Sequence, residues 1–394
     1  MFFEKVLEAL PDPIFGLNEA FHSDPRKKKV NLAVGVYKDD QLSSYLMPSV
    51  KKAKEEIFSQ DLLADYLAIE GLAAFSEEIG KLCFGKKLFQ ENHGRISAFQ
   101  AVGGTGALRL AADFLLQEVS SRIAIPDPTW ANHHWLFSKA GFEVISYPYY
   151  QKEKNQLEFD AFCLFLRNLK EGTILLFHVV CQNPTGVDFS LDQWKIIQAI
   201  LEEKKHLPFF DFAYQGFGEG IEKDRKVVEY FLETKMEMVV AYSCSKNFSL
   251  YCQRVGALFF VTKNPATKIR VESKLKRVVR SLYSNPPAHG AKIVSHLLQN
   301  DFLRKEWEKE LDAMRKRLDS MRSLLAKKLI GKTLKDYRFL LEQKGMFSFL
   351  GLSKNQVMRL IQEHAIYMPD WGRISIAALN QDNIDFVADA IISL

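Results

Sequence analysis

The sequence has few of the features that mark membrane, exported or disulfide-linked proteins. No stretch of its 394 residues approaches the roughly 20 consecutive apolar residues of a membrane helix. The N-terminal segment MFFEKVLEALPDP carries Glu4 and Glu8 and lacks the basic start of an export signal. Its five cysteines are an odd number, and none has the two-residue spacing of a metal or redox motif. We therefore expect a cytoplasmic protein without a membrane anchor or bound metal.

Internal repeats and low-complexity tracts are also missing, and no linker divides the chain. The net charge of +5 comes from basic residues that mostly alternate with acids along the chain, so nucleic acid binding is not expected. A chain of this length exceeds the size at which one core stops growing, which predicts two domains.

Short apolar runs alternate with helical patterns between residues 97 and 262, a rhythm typical of βαβ units. Strands that are apolar on both faces belong to parallel sheets covered by helices on each side, so we predict an α/β domain at the centre of the protein. The runs are RIAI from 122, TILLFHVV from 173, LPFFDF from 207, MVVAYS from 238 and ALFFVT from 257.

A second pattern follows, with apolar residues at alternating three- and four-residue steps from Leu303 to Leu325. This spacing predicts one long amphipathic helix. Because the stripe lasts only about three heptads, a helix that bridges two lobes is favoured over a coiled coil.

Polar residues follow three of the predicted strands: Asn183, Asp211 and Lys246, each about 30 residues from the next. Since one βα unit occupies about that length, an amide, a carboxylate and an amine are expected at the same edge of the sheet. They are therefore placed to converge on one ligand.

The segment GGTGALRLAADFLLQE predicts a glycine turn that opens a helix, with free backbone donors at Gly104, Thr105 and Gly106 for an anion. It matches neither the dinucleotide fingerprint nor the phosphate loop. A nucleotide-dependent dehydrogenase is the alternative, but apart from Asp127 the segment lacks the acidic ribose contact about 20 residues on.

Seven motifs, in order GGTGAL, NPTG, DFAYQG, SCSKN, RVGA, YSNPPAHG and GRIS, resemble the aspartate and aromatic aminotransferase family over essentially the whole chain. That family belongs to the fold type I pyridoxal phosphate enzymes. The resemblance implies a large domain, residues 45–312, with a mostly parallel seven-stranded sheet. It also implies a smaller α+β domain from both chain ends, residues 12–44 and 313–394, and an N-terminal arm over residues 1–11.

The resemblance assigns the catalytic chemistry to Lys246, Asp211 and Tyr214. Lys246 would form a Schiff base with pyridoxal 5′-phosphate and later shuttle a proton at the substrate Cα. Asp211 would pair with the pyridine nitrogen. Tyr214 and Asn183 would hydrogen-bond the phenolic oxygen of the cofactor.

The remaining cofactor contacts come from the same resemblance. Trp130 would stack on the pyridine ring, and His133 would support Asp211. The phosphate would be held by residues from both subunits of a homodimer. These residues are Gly104, Thr105, Ser243 and Arg254, with Tyr66 from the partner subunit.

Substrate binding is implied for Gly35, Trp130, Asn183, Arg280 and Arg373. Arg373 would clamp the α-carboxylate, and Arg280, given by the other subunit, would bind a distal carboxylate. On local grounds alone, Arg280 looks like part of a solvated basic helix face.

Two places depart from the family pattern: Ser249, and the segment of Pro369, Asp370 and Trp371 before Arg373. Ser249 stands where glycine is common, so the backbone there must avoid positive φ or accept strain. Trp371 stands where small residues are frequent, and its indole would narrow or reshape the pocket entrance.

The resulting hypothesis is a ping-pong aminotransferase that moves the amino group of aspartate, with tyrosine or phenylalanine as further donors, to 2-oxoglutarate. Besides the dehydrogenase named above, three alternatives stay open. They are an aromatic-amino-acid aminotransferase as the main activity, a pyridoxal phosphate lyase or decarboxylase, and a silent binding protein that keeps the fold.

Overall fold

A computed structural model describes residues 2–8, 13–59 and 65–394. The predicted arm over residues 1–11 therefore lies partly outside the described residues. Within the described ranges, no helix has the length and apolar character needed to cross a membrane.

The described residues form fifteen α-helices, three short 3-10 helices and thirteen strands. The α-helices are α1 (Pro13–Ser23), α2 (Pro48–Phe58), α3 (Ala73–Phe84), α4 (Lys86–Glu91), α5 (Gly103–Glu118), α6 (Asn132–Ala140), α7 (Phe159–Asn168), α8 (Leu191–Glu203), α9 (Ile221–Asp224), α10 (Lys226–Glu233), α11 (Pro265–Leu282), α12 (Ala288–Gln299), α13 (Asp301–Leu329), α14 (Lys354–His364) and α15 (Ile384–Ile392). The 3-10 helices are His93–Arg95, Tyr337–Glu342 and Ile376–Ala378. The strands are β1 (Val30–Asn31), β2 (Ile96–Val102), β3 (Arg122–Asp127), β4 (Glu143–Pro148), β5 (Tyr150–Gln151), β6 (Gln156–Leu157), β7 (Ile174–His178), β8 (Leu207–Phe212), β9 (Met238–Ser243), β10 (Val255–Val261), β11 (Phe347–Phe349), β12 (Ile366–Tyr367) and β13 (Arg373–Ser375).

The main sheet has seven strands in the order β2-β10-β9-β8-β7-β3-β4. All five predicted runs are strands, and the predicted α/β class with a mostly parallel seven-stranded sheet is confirmed. The βαβ rhythm is wrong for β10, which runs antiparallel to both β2 and β9. The physical reason is that residues 244–254 form only turns, without the crossover helix that a parallel connection needs.

Helices cover both faces of this sheet. Along β8, Phe209 packs into one apolar cluster, whereas its neighbour Phe210 packs into the cluster on the opposite face. This alternation buries both faces, and each fully buried phenylalanine contributes about 1.5–3 kcal/mol. The sheet is therefore a rigid support for the loops that follow its strands.

The long helix α13 confirms the predicted amphipathic pattern, because Leu303, Trp307, Leu311, Leu318 and Leu325 are all buried. It contacts α2 and α12 and also α15 near the C-terminus.

The two chain ends come together beyond α13. Strand β1 pairs in parallel with β12, and β11 pairs antiparallel with β13. The backbone N–H of Ser375 donates to the carbonyl of Leu32 at 2.8 Å. This contact fixes the end of β13 against the N-terminal segment.

Candidate active site

A cavity of about 580 Å³ lies where strands β7, β8 and β9 end. The predicted convergence of Asn183, Asp211 and Lys246 is observed, because all three line this cavity. Eleven of the residues predicted to bind the cofactor or substrate line it: Gly35, Gly104, Thr105, Trp130, Asn183, Asp211, Tyr214, Ser243, Lys246, Arg254 and Arg373.

Lys246 lies in the turn after β9, and the Ser249 backbone N–H donates to its carbonyl at 3.1 Å. Its Nζ atom lies 4.8 Å from the ring centroid of Tyr214. Burial lowers the pKa of Lys246; the Asp211 carboxylate opposes this effect and the Arg254 guanidinium adds to it. The amine is thus closer to neutrality than an exposed lysine, as a proton-transfer group requires.

Asp211 is buried near the end of β8 and is held by a chain of hydrogen bonds. His133 Nε2 lies 3.1 Å from Asp211 Oδ2, and His133 Nδ1 lies 2.8 Å from Thr129 Oγ1. Burial raises the pKa of Asp211, but the His133 hydrogen bond and the neighbouring positive charges outweigh it and lower the pKa below its usual value. The site therefore keeps a buried carboxylate ionised.

His178 joins this group, and its role was not predicted from the sequence. It is the register partner of Asp211 across β7 and β8, and its ring lies 5.2 Å from that of His133. Burial, and to a smaller extent the neighbouring His133 ring, lower the pKa of His178 to about 3, so the His178 ring is neutral at physiological pH. The sequence feature that could have revealed His178 is strand register, since His178 is the fifth residue of β7 and Asp211 is the fifth residue of β8.

The ligand atoms of His133, His178 and Asp211 lie within 4.8 Å of one another. Such a group can hold a metal ion, so the expectation of no metal stays a prediction. Both His133 ring nitrogens already face Thr129 and Asp211.

An anion cradle surrounds the start of α5. Gly103 has φ +70°, and a Cβ atom there would lie 2.4 Å from Arg254 Nη2. A Cβ atom on Gly104 would lie 2.9 Å from Ser243 Cβ. A side chain at either position would push Arg254 and Ser243 away from the N-terminus of α5, so glycine is needed at both. The N-terminal backbone N–H groups, the Ser243 hydroxyl and the Arg254 guanidinium together suit a phosphate dianion.

Arg254 is oriented by groups that the sequence did not single out. Its Nη1 donates to Ser245 Oγ at 3.2 Å and to the Tyr251 carbonyl at 3.1 Å. Arg254 forms no ion pair with any carboxylate in the described ranges, so its charge is available to a ligand. Ser245 and Tyr251 also line the cavity.

Arg373 lies at the start of β13 and is almost fully buried. Its Nη2 donates to the Ala33 carbonyl at 2.6 Å and its Nη1 to Asn183 Oδ1 at 3.5 Å. Its guanidinium lies 4.3 Å from the Phe347 ring centroid, and its Nε is buried without a hydrogen-bond partner. Burial lowers the pKa of Arg373 to about 10, which still leaves it charged at neutral pH. A buried cation with an unsatisfied donor fits a carboxylate ligand.

Tyr214 is buried beside Lys246, and burial together with the Asp211 charge raises the pKa of its hydroxyl, which stays protonated as a hydrogen-bond donor. Asn183 is buried in the turn after β7. Trp130 lines the cavity with its ring edge-on to His133 at 5.2 Å.

Tyr66 and Arg280 do not join this cavity. Tyr66 is 92% exposed, and Arg280 is exposed near the end of α11, where it donates to Ser284 Oγ. The two segments adjoin, because the side chain of Asn285 donates to the Leu67 carbonyl at 3.0 Å. The chain thus presents both residues on its surface and not to its own site.

Of the two departures from the family pattern, Ser249 has φ +51° and is buried with its hydroxyl unpaired. The backbone therefore accepts the strained conformation. Trp371 lines the cavity beside Arg373.

Comparison with known proteins identifies the architecture. The sequence profile of the family "Aminotransferase class I and II" matches residues 27–391. The aspartate aminotransferase of Escherichia coli (strain K12) is 43% identical over 394 residues, covering 100% of both chains. The chain belongs to the class I and II aminotransferase family. The resemblance read from its seven motifs is thereby confirmed.

This aminotransferase is similar to relatives with two different names. The aromatic-amino-acid aminotransferase of Pseudomonas aeruginosa is 40% identical over 391 residues, covering 99% of this chain and 98% of the relative. A crystal structure of the aromatic-amino-acid aminotransferase from Burkholderia pseudomallei, covalently bound to pyridoxal phosphate, superposes with a TM-score of 0.97 at 44% identity. That superposition covers 100% of this chain and 99% of the other.

Proposed function

We propose that this enzyme moves the amino group of aspartate to 2-oxoglutarate by a ping-pong route, with pyridoxal 5′-phosphate as cofactor. The observation that carries the proposal is the single cavity that brings together Lys246, Asp211 and Arg373 beside an anion cradle. Amino acids and 2-oxo acids are the substrates of aminotransferases, and family membership gives the reaction class.

The residues present fit the cofactor. The glycine-lined cradle with Arg254 suits its phosphate, and the ionised Asp211 suits its pyridine nitrogen. When bound, pyridoxal phosphate supplies an aldehyde that bonds to an amine and a ring that withdraws electrons from the substrate Cα. Gly104, Thr105, Ser243 and Arg254 would hold the phosphate, and Trp130, Asn183 and Tyr214 would hold the ring.

The chain's own groups then perform distinct tasks. Lys246 Nζ, with its lowered pKa, would take the proton from the substrate Cα and hold it for return. Arg373 binds the α-carboxylate in bidentate fashion and so orients the Cα–H bond toward the amine. His133 keeps Asp211 charged and fixed. Gly35 lines the same cavity and would contact the substrate.

We also propose a homodimer with shared active sites. Tyr66 and Arg280 are exposed on adjoining segments of one surface, where they are free to enter a partner's cavity. In this arrangement the partner's Tyr66 adds a donor to the phosphate, and its Arg280 binds the distal carboxylate of aspartate.

The domain division into residues 12–44 with 313–394 and residues 45–312, and the cytoplasmic location, belong to the same proposal. The pairing of β1 with β12 supports a domain built from both chain ends. The five free cysteines, four of them buried, suit a reducing compartment.

A half-reaction tests the proposal and separates it from the lyase alternative. Holoenzyme mixed with aspartate alone should release one equivalent of oxaloacetate per subunit and retain the amino group. Later addition of 2-oxoglutarate should then release glutamate. Ammonia or carbon dioxide as the product would instead establish a lyase or a decarboxylase.

A further inference from the structure

Two tryptophans, Trp135 and Trp371, line the same cavity as Lys246 and Arg373. Trp135 lies on α6 and is 67% exposed. Trp371 is partly buried in the turn that precedes β13, two residues before Arg373. Neither indole stacks on another aromatic ring within the described ranges, and Trp371 packs partly against the apolar core while it lines the cavity.

The position of Trp371 is fixed by its turn. The Gly372 N–H donates to the Pro369 carbonyl at 2.9 Å, and the Gly372 carbonyl accepts from Leu350 N at 2.9 Å. Asp370, on the other side of Trp371, forms a 3.1 Å ion pair with Lys354. These contacts hold the backbone of the turn that places Trp371 two residues from Arg373.

The cavity has few cationic side chains. Its lysine and arginine lining consists of Lys246, Arg254 and Arg373. Under the proposed function these bind the cofactor, its phosphate and the substrate α-carboxylate. No lysine or arginine among the described lining residues is then left for a second carboxylate. A dicarboxylate needs an arginine from another chain, whereas an aromatic side chain needs only apolar surface that this chain provides.

We infer that Trp371, assisted by Trp135, forms a subsite for the side chain of an aromatic amino donor and that Trp371 sets the preference between aromatic and dicarboxylic donors. The inference rests on the proposed function, since it takes Arg373 as the α-carboxylate site. A donor anchored there extends its side chain past the neighbouring indole. An offset or edge-on contact between the rings adds to the area that the donor buries.

The test compares the wild-type holoenzyme with Trp371→Ser, Trp371→Phe and Trp135→Ser. The quantity is the ratio of kcat/KM for phenylalanine to that for aspartate. We expect Trp371→Ser to lower this ratio about tenfold, Trp135→Ser to lower it less, and Trp371→Phe to restore most of it. Phe302→Ser, which removes an exposed ring on α13, is the matched control and should leave the ratio unchanged.

A binding measurement adds a readout that does not depend on turnover. Trp371→Ser should weaken the Kd of 3-phenylpropionate relative to that of succinate by a similar factor. An unchanged or raised kcat/KM ratio in Trp371→Ser would overturn the inference. So would a wild type that transaminates aspartate but neither transaminates phenylalanine nor binds 3-phenylpropionate, although the proposed function would survive. Inactivity of the wild type with both donors would overturn the proposed function itself.

Discussion

His133 Nε2 lies 3.1 Å from Asp211 Oδ2, and this contact keeps a buried carboxylate charged where a cofactor ring would meet it. The imidazole is itself fully buried and held by Thr129. The orientation and the ionisation of the Asp211 carboxylate therefore depend on His133 as well as on Asp211 itself.

Replacement of the carboxylate tests this pair. Asp211→Ala should lower kcat with aspartate by roughly 10²–10³-fold, because a preorganised charge at the reacting ring is lost. Asp211→Glu should retain more activity, and His133→Asn should cost less than Asp211→Ala because the carboxylate remains. Steady-state kinetics with saturating cofactor measure kcat for the three variants and so rank them. Near-normal turnover in Asp211→Ala would contradict the assigned role.

His178 predicts a loss of stability in acid. Its folded-state pKa of about 3 lies below the ordinary 6.5, so the unfolded state binds more protons between those values. Stability is therefore complete above pH 6.5 and falls as the pH drops toward 3, by about 2 kcal/mol at pH 5. Urea unfolding at pH 7 and pH 5 should show a smaller decrease in His178→Gln than in wild type. The exposed His22→Gln is the control and should behave like wild type.

Subunit complementation tests the shared site. Lys246→Ala and Arg280→Ala homodimers should each turn over aspartate poorly. If Arg280 acts on the partner's site, subunit exchange in an equal mixture should restore about a quarter of the wild-type activity, since half the dimers then hold one intact site of two. An Arg280 that serves its own chain's site would give no recovery.

The Ser249 backbone predicts a stabilising substitution. A non-glycine residue at φ +51° carries strain, and the buried hydroxyl has no partner. Ser249→Gly should raise the free energy of unfolding by about 1 kcal/mol. Ser97→Gly is the matched control, because Ser97 is also buried with an unpaired hydroxyl but lies in β2 without a positive φ. It should destabilise the protein, and equal effects of the two changes would argue against backbone strain.

Much of the fold was predictable because strands buried on both faces and the amphipathic helix α13 leave strong apolar patterns. The antiparallel direction of β10 could not be predicted, since an apolar run carries no information about strand direction. The edge strand β4 was missed because Glu143 and Ser146 are exposed and interrupt its apolar character.

In the site, the residues that follow strands were predictable from spacing and from their motifs. His178, Ser245 and Tyr251 were not, because their importance arises from register and from turns that bring them to Asp211 and Arg254. The surface positions of Tyr66 and Arg280 likewise become informative only in three dimensions.

The identity of the reactive amine is the central claim, and chemical trapping tests it most directly. Borohydride reduction of the holoenzyme, followed by digestion and mass spectrometry, should place one cofactor per chain on the peptide that contains Lys246. The Lys246→Ala protein should carry no label and lose nearly all turnover. Cofactor attached to a different lysine, or a Lys246→Ala enzyme that works at the normal rate, would contradict the account.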